Sequence, residues 1–215
     1  MPRLARPKNL EAPMLRALAL NCTLSPSPAP SSTALLNSQV LDALSALGVE
    51  GEQVRVVDHD VRPGVLADMG DGDEWPKLRQ KVLDADILVL GTPTWMGHMS
   101  SVAQRVLERL DAELSETDDD GRPILAGKVA VVAVVGNEDG AHAIIADAFQ
   151  GLNDVGYTIP AQGSVYWNGE AMQTVDYRDL SETPEKVAST TETLAQNAAH
   201  LAALLGEHAY PAPQD

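Results

Sequence analysis

The chain has 215 residues, 44% of them hydrophobic, with 31 acidic against 15 basic side chains and a formal net charge of -16. That length suits one domain with a sizeable core, since single domains commonly span roughly 50 to 250 residues. The acidity excludes a nucleic-acid partner and an anionic membrane surface, both of which need a basic face, and fits a soluble cytoplasmic protein or one from a high-salt host.

Arg3, Arg6 and Lys8 precede an apolar run, as in a signal peptide, but the run 14–20 is short and contains Arg16. Asn21 is also a poor residue before a cleavage site, so residues 1–13 read as a flexible tail and the run as a first strand. No stretch approaches the roughly 20 apolar residues of a membrane span, so no membrane insertion is expected. Cys22 is the single cysteine, which excludes internal disulfides and cysteine-bound iron–sulfur clusters and suits a small packed residue at a strand end.

Five apolar runs follow one another at 16–22, 53–58, 86–92, 128–136 and 158–166. Near-continuous Val, Leu and Ala runs of this kind suit parallel strands covered on both faces. Helical patterns alternate with them. Ser32 caps a helix that carries Leu36, Val40, Leu44 and Leu47 on one face and stops at Gly48. Residues 74–85 form a shorter helix with Pro76 near its start. Ser100 or Ser101 caps another, bearing Val102, Val106 and Leu110. Ala141, Ile144, Ile145, Ala148, Phe149 and Leu152 keep helical spacing up to Gly156, and Thr183-Pro184 opens a last helix with Val187, Leu194, Leu201 and Leu205 inward and Gly206 as its stop. Residues 60–73 and the acidic insert 113–121 read as solvated connections, and 208–215 as a flexible tail. The order predicts an α/β protein with a three-layer, doubly wound, five-stranded parallel sheet.

Ligands of such sheets bind at the carboxyl ends of the strands. The loop after the first strand, residues 21–33, has hydroxyls at both ends and runs into a helix N-terminus. Exposed N–H groups and the helix dipole favour a phosphate there, although ordinary capping explains the same serines. It has neither the Gly-Lys-Ser/Thr of a Walker loop nor Gly-x-Gly-x-x-Gly. The loop after the third strand reads Gly91-Thr92-Pro93-Thr94-Trp95-Met96-Gly97-His98-Met99-Ser100. It can lay backbone N–H groups and an indole along a flat heterocycle, or it can be a turn with a partly buried Trp. The loop after the fourth, Gly136-Asn137-Glu138-Asp139-Gly140-Ala141-His142, can edge such a ligand through Asn137, while Glu138 and Asp139 equally suit first-turn acids. Tyr166 and Trp167, after the fifth strand, can wall a pocket or a subunit interface. The histidines show no metal spacing, and no Ser–His–Asp arrangement is legible.

The three loops together resemble the flavodoxin-like NAD(P)H-dependent FMN reductases, including the NAD(P)H:quinone oxidoreductases, from Arg16 to Leu205. The resemblance implies strand order 2-1-3-4-5, a flavodoxin-like FMN-binding domain over 14–207, and FMN as cofactor with NAD(P)H as electron donor. Carried over, Ser25, Ser31, Ser32 and Thr33 face the phosphate, and Pro93, Thr94, Trp95, Met96, Gly97, Asn137 and Gly140 line the ring. No catalytic side chain and no metal are implied, and a homodimer or homotetramer is. The implied activity passes electrons from NAD(P)H through FMN to a quinone, a flavin or another small-molecule acceptor. A flavodoxin-type electron carrier and a non-catalytic domain that has lost FMN are the alternatives. Asn21 stands where many members have glycine, the first loop carries three prolines, and the cysteine motif of iron–sulfur flavoproteins is absent.

Overall fold

The computed structural model describes residues 14–170 and 174–213, so the expected tail 1–13 lies outside the described residues. Five parallel strands, β1 (Arg16–Asn21), β2 (Glu50–Arg55), β3 (Ile87–Trp95), β5 (Val129–Gly136) and β6 (Ser164–Asn168), lie in the order β2-β1-β3-β5-β6. A two-residue strand, β4 (His98–Met99), pairs antiparallel with the end of β3. Counted among the parallel strands alone, the order is the expected 2-1-3-4-5.

Alternate strand residues feed two cores, as the period of two requires. Leu18, Leu20, Leu88, Leu90, Val132 and Val134 pack against α2 (Trp75–Asp84), α3 (Ser101–Leu110) and α4 (Ala141–Asp154). Ala17, Ala19, Ile87, Val89, Val131 and Val135 pack against α1 (Ser32–Ser45) and α5 (Glu185–Glu207). Cys22 is buried in the first core as expected, and its burial pushes the thiol well above the ordinary range.

Several boundaries differ from the sequence reading. β2 begins earlier and ends earlier than 53–58, because it is an edge strand whose exposed Glu50 and Glu52 give no apolar signal; Val56–Asp58 form a 3₁₀ turn. The last strand starts at Ser164 rather than 158. Thr158 makes one bridge to Val129, and then Pro160, which has no N–H, and Gln162, at φ 54°, interrupt the ladder. Ser31, not Ser32, caps α1, accepting the Ala34 N–H at 3.1 Å. Ser100 caps α3. Leu47 is exposed beyond the end of α1, and α5 runs through Gly206 to Glu207. In the C-terminal tail the Tyr210 hydroxyl lies 2.9 Å from Thr158 Oγ1, so that segment folds back on the sheet's far end.

The two connections expected to be solvated are anchored by buried ion pairs. Arg79 holds the fully buried Glu113 through Nε and Nη2 at 2.6 and 2.8 Å. Arg109 pairs with Asp73 at 2.8 Å with both side chains fully buried, and donates to the carbonyls of Arg62 and Leu66. The backbone of residues 60–73 thus wraps a guanidinium. Burial pushes the Asp73 carboxyl up, but Arg109 and the N–H groups of Met69, Trp75 and Arg62 outweigh it and leave it well below the usual carboxylate range.

Arg109→Met should leave that carboxylate buried without its counter-charge. Loss of one partner of a buried pair costs about 3–5 kcal/mol, to be read as a lower urea midpoint. With its pKa depressed in the folded state, Asp73 contributes stability that is fully present above its ordinary value of 3.8 and is lost as pH falls below it. Wild-type unfolding between pH 5 and 8 should therefore show no slope from this group.

Candidate functional site

The loops at the carboxyl ends of β1, β3 and β5 enclose a cavity of about 390 Å³, within the range of roughly 300–1,000 Å³ that is usual for small-molecule sites. Its lining joins Thr23, Ser25 and Pro30–Thr33 to Pro93–Trp95 and to Val135–Glu138. A fourth wall comes from Asp176, Tyr177 and Arg178, in the connection between β6 and α5.

The position of α1 sets one end of the cavity. Asn37 of α1 is fully buried over Gly91 of β3, so close that a Cβ on Gly91 would lie 2.1 Å from Asn37 Oδ1. Glycine alone lets the helix sit this low. Its N-terminus then opens toward the strand ends, where the first-turn N–H groups have no partner within the helix. Ser31 Oγ serves the Ala34 N–H, which leaves the amides of Ser32 and Thr33 at the cavity wall.

The loop before α1 is braced from outside. Arg55 donates to the carbonyls of Ser25 and Ala29 at 3.2 and 2.8 Å. Ser27 donates both its N–H and its hydroxyl to Asp58, at 2.8 and 2.6 Å, and those bonds hold the carboxyl below its ordinary range. Ser25 lines the cavity but is exposed at its edge.

β3 runs past its expected end and turns back as a hairpin, pairing Thr94 with Met99 and Trp95 with His98. Met96 and Gly97 form the turn, both at positive φ, 54° and 77°. Two left-handed residues match the twist of a tight hairpin, but methionine is an uncommon choice there. The Met96 N–H donates to Glu138 Oε1 at 2.7 Å, which ties the hairpin to the loop after β5. Gly140, at φ 124°, supports the same junction: a Cβ there would lie 2.6 Å from the Gly97 carbonyl oxygen.

Thr94 is buried at the cavity wall, and its Oγ1 has no hydrogen-bond partner. Trp95 is 54% exposed and so is not a core residue. Of the residues expected from sequence, Ser25, Ser31, Ser32, Thr33, Pro93, Thr94, Trp95 and Asn137 come together around the cavity. Met96, Gly97 and Gly140 do not line it. Met96 is 87% exposed, and the two glycines pack against each other behind the hairpin, where the missing side chain of Gly140 permits the contact.

No sequence motif marks the fourth wall. Asn137 Nδ2 donates to Asp176 Oδ1 at 3.2 Å, the buried Tyr177 donates its hydroxyl to Gln39 Oε1 at 2.6 Å, and Arg178 reaches Pro30 and Ser32. The only signal in the chain was a Tyr-Arg pair in an otherwise polar stretch, at the end of the sheet where sites form. Glu138, whose place in the sequence equally suits a first-turn acid, is instead a cross-link between two loops.

The arrangement offers an anion site at one end, an unpaired hydroxyl and backbone in the middle, and an exposed indole at the other. A phosphorylated, flat heterocycle fits that set. Strand order and site position together define a flavodoxin-like α/β protein. A pneumococcal flavodoxin from Streptococcus pneumoniae TIGR4 superposes with a TM-score of 0.55 at 16% identity, over 86% of this chain and 98% of that one, which is a likeness of fold alone.

Residues 15–171 match the family model for NADPH-dependent FMN reductase, and the chain belongs to that family. FMN is accordingly its cofactor, and its class is that of an FMN-dependent oxidoreductase. The 8-demethyl-8-aminoriboflavin-5'-phosphate synthase of Streptomyces davaonensis is 34% identical over 207 residues, 91% of this chain and 80% of that protein. The crystal structure of RosB with bound 8-demethyl-8-formylriboflavin-5'-phosphate superposes with a TM-score of 0.82 at 33% identity, covering 91% of this chain and 82% of that one. A divalent metal cation transporter MntH of Mycobacterium bovis is 39% identical over 198 residues, but the match spans only 29% of that longer protein and 89% of this chain. No described helix of this chain is long and apolar enough to cross a membrane.

Two substitutions separate the wall from its support. Trp95→Ala should change apo-protein stability by about 1 kcal/mol or less, as an exposed side chain does. Gly140→Ala should cost about 1–3 kcal/mol, because the new Cβ meets the Gly97 backbone at a left-handed φ. Thermal unfolding of both apo-proteins checks the contrast; a larger loss for Trp95→Ala than for Gly140→Ala would reverse it.

Proposed function

We propose that this cavity binds FMN with its phosphate at the N-terminus of α1 and its ring between the β3–β4 hairpin and the loop after β5, and that the protein reduces a small acceptor with electrons from NAD(P)H. The observation that carries the reading is the unpartnered Thr94 hydroxyl, buried in the same cavity wall as the open first turn of α1. Ser32, Thr33 and their amides would hold the phosphate, with Ser25 and Ser31 at its edge. Pro93, Thr94, Trp95 and Asn137 would border the ring, with Met96, Gly97 and Gly140 shaping the hairpin behind it.

When bound, FMN supplies the two-electron redox chemistry between a nicotinamide donor and an acceptor such as a quinone or free flavin. The chain's own part is to bind, orient and shield. The α1 dipole and hydroxyls favour the dianion. Thr94 Oγ1 offers a hydrogen bond to a polar edge, and Trp95 excludes water from one side. No side chain in the cavity is needed as an acid or base. A flavodoxin-type carrier would share the cofactor but would not consume NAD(P)H.

A second reading has its own support. The Streptomyces davaonensis relative acts in making an aminated riboflavin phosphate, and the RosB structure holds a formyl riboflavin phosphate. On that reading the flavin phosphate is itself the substrate. Mass analysis of the flavin after incubation with the protein distinguishes the two: an unchanged FMN with NAD(P)H consumed supports the reductase, and a flavin altered at its ring methyl supports the other.

Ser32→Glu sets a carboxylate against the phosphate. It should weaken FMN binding by roughly 10- to 100-fold or more, on the scale of a lost charge-assisted hydrogen bond. Equilibrium titration of a folded variant with unchanged affinity would reject the placement. We further propose a homodimer or homotetramer, supported by the exposed Trp95 and Met96 of the β3–β4 hairpin and the exposed Tyr166 of β6. Light scattering at moderate salt should give at least twice the chain mass of 22.8 kDa.

A further inference from the structure

We propose that Arg178 is the residue that makes this site select a 5'-phosphorylated flavin over its unphosphorylated counterpart. The inference rests on the FMN-binding reading of the cavity.

The protein as a whole repels phosphate, since its formal charge is -16. A dianion is therefore favoured only where local charge reverses that field. Among the residues lining the cavity, Arg178 is the one cation, against Glu138 and Asp176. The two acids are not equivalent. Glu138 accepts the Met96 N–H at the hairpin end of the cavity. Asp176 faces Arg178 at 3.0 Å and also accepts from Asn137, and Asp179 lies 3.7 Å from Arg178 Nε, so Asp176 and Asp179 share the guanidinium that a phosphate would also meet. The lining's one guanidinium thus stands at the α1 end, beside the free first-turn amides, and Glu138 stands at the hairpin end.

The backbone geometry brings the guanidinium to the helix N-terminus. Arg178 Nη1 donates to the Pro30 carbonyl at 2.8 Å, immediately before the capping residue Ser31. The Arg178 N–H donates to Ser32 Oγ at 3.3 Å. A hydroxyl that accepts from one side directs its own proton elsewhere, and Ser32 lines the cavity. One residue therefore supplies both a charge beside the first turn of α1 and an orientation for its hydroxyl. An arginine retains its charge at every accessible pH, and its fork has donors beyond those used on Pro30 and Asp176. No arginine stands in the loop 21–33 itself, so the cation for the phosphate comes from the far side of the fold.

The test is calorimetric titration of the apo-protein with FMN and with riboflavin, for wild type, Arg178→Gln and Arg178→Lys, with circular dichroism to confirm folding. The expected result for Arg178→Gln is FMN affinity lower by roughly 10- to 100-fold, with riboflavin affinity unchanged. Arg178→Lys should recover part of the difference. The wild-type preference for FMN should also shrink with added salt more steeply than that of Arg178→Gln. Parallel weakening of both flavins would mean that Arg178 only shapes the loop, and unchanged FMN affinity would mean that it does not act on phosphate; either overturns the proposal while leaving FMN binding intact. A wild-type protein that binds neither flavin would reject the FMN reading itself, and this inference with it.

Discussion

The site depends on how closely α1 approaches the sheet. Gly91 is the point of contact: any side chain there would collide with Asn37, and the helix would be displaced outward. Gly91 lies in register with Asn21 of β1 and Ala133 of β5, so the floor beneath Asn37 carries small or short side chains. The approach has a cost, because both amide atoms of Asn37 are buried without a partner, and an unsatisfied buried polar group costs about 1–3 kcal/mol. What results is a helix N-terminus set over the strand ends rather than beside them, with its free N–H groups facing the cavity.

Around that helix end the loops are held by charges reaching in from elsewhere. Arg55 of β2 grips the carbonyls of the first loop, Asp58 takes Ser27, and Arg178 comes across from the connection before α5. The prolines of this loop leave few N–H groups for an internal hydrogen-bond network, so neighbouring side chains define its course. The chain's large negative charge makes these placed cations matter more than their number suggests. The family of NADPH-dependent FMN reductases sets the cofactor, and these side chains brace the loops around it.

At the opposite end, strain is concentrated in Met96. Met96 holds a left-handed conformation that glycine would adopt freely, and it does so with its side chain exposed and its N–H fixed by Glu138. Residues kept in sparsely populated conformations cluster at ligand clamps, where surrounding contacts over-determine them. The contact between Gly97 and Gly140 supplies that over-determination here, by letting the start of α4 press directly on the hairpin.

The layered fold was legible in the chain itself. Near-continuous apolar runs with helical patterns between them admit few arrangements other than a doubly wound sheet, and connection rules place the site at the strands' carboxyl ends. Eight of the eleven residues expected at the site meet around one cavity for that reason: they lie at the strands' carboxyl ends or in the connections that leave them, so position in sequence implies position in space. What only the tertiary structure decided depends on contacts between distant segments. The β3–β4 hairpin needed two positive-φ residues that no local pattern announces in Met96. The wall of Asp176, Tyr177 and Arg178 needed the crossing of α1, since its partners Gln39, Pro30 and Ser32 lie more than 130 residues earlier. The connections 60–73 and 113–121 read as solvated because their acids look exposed in sequence, yet Asp73 and Glu113 are buried by arginines that only folding brings to them. Periodicity records which side of an element faces inward; it carries no record of which distant charge will meet it there.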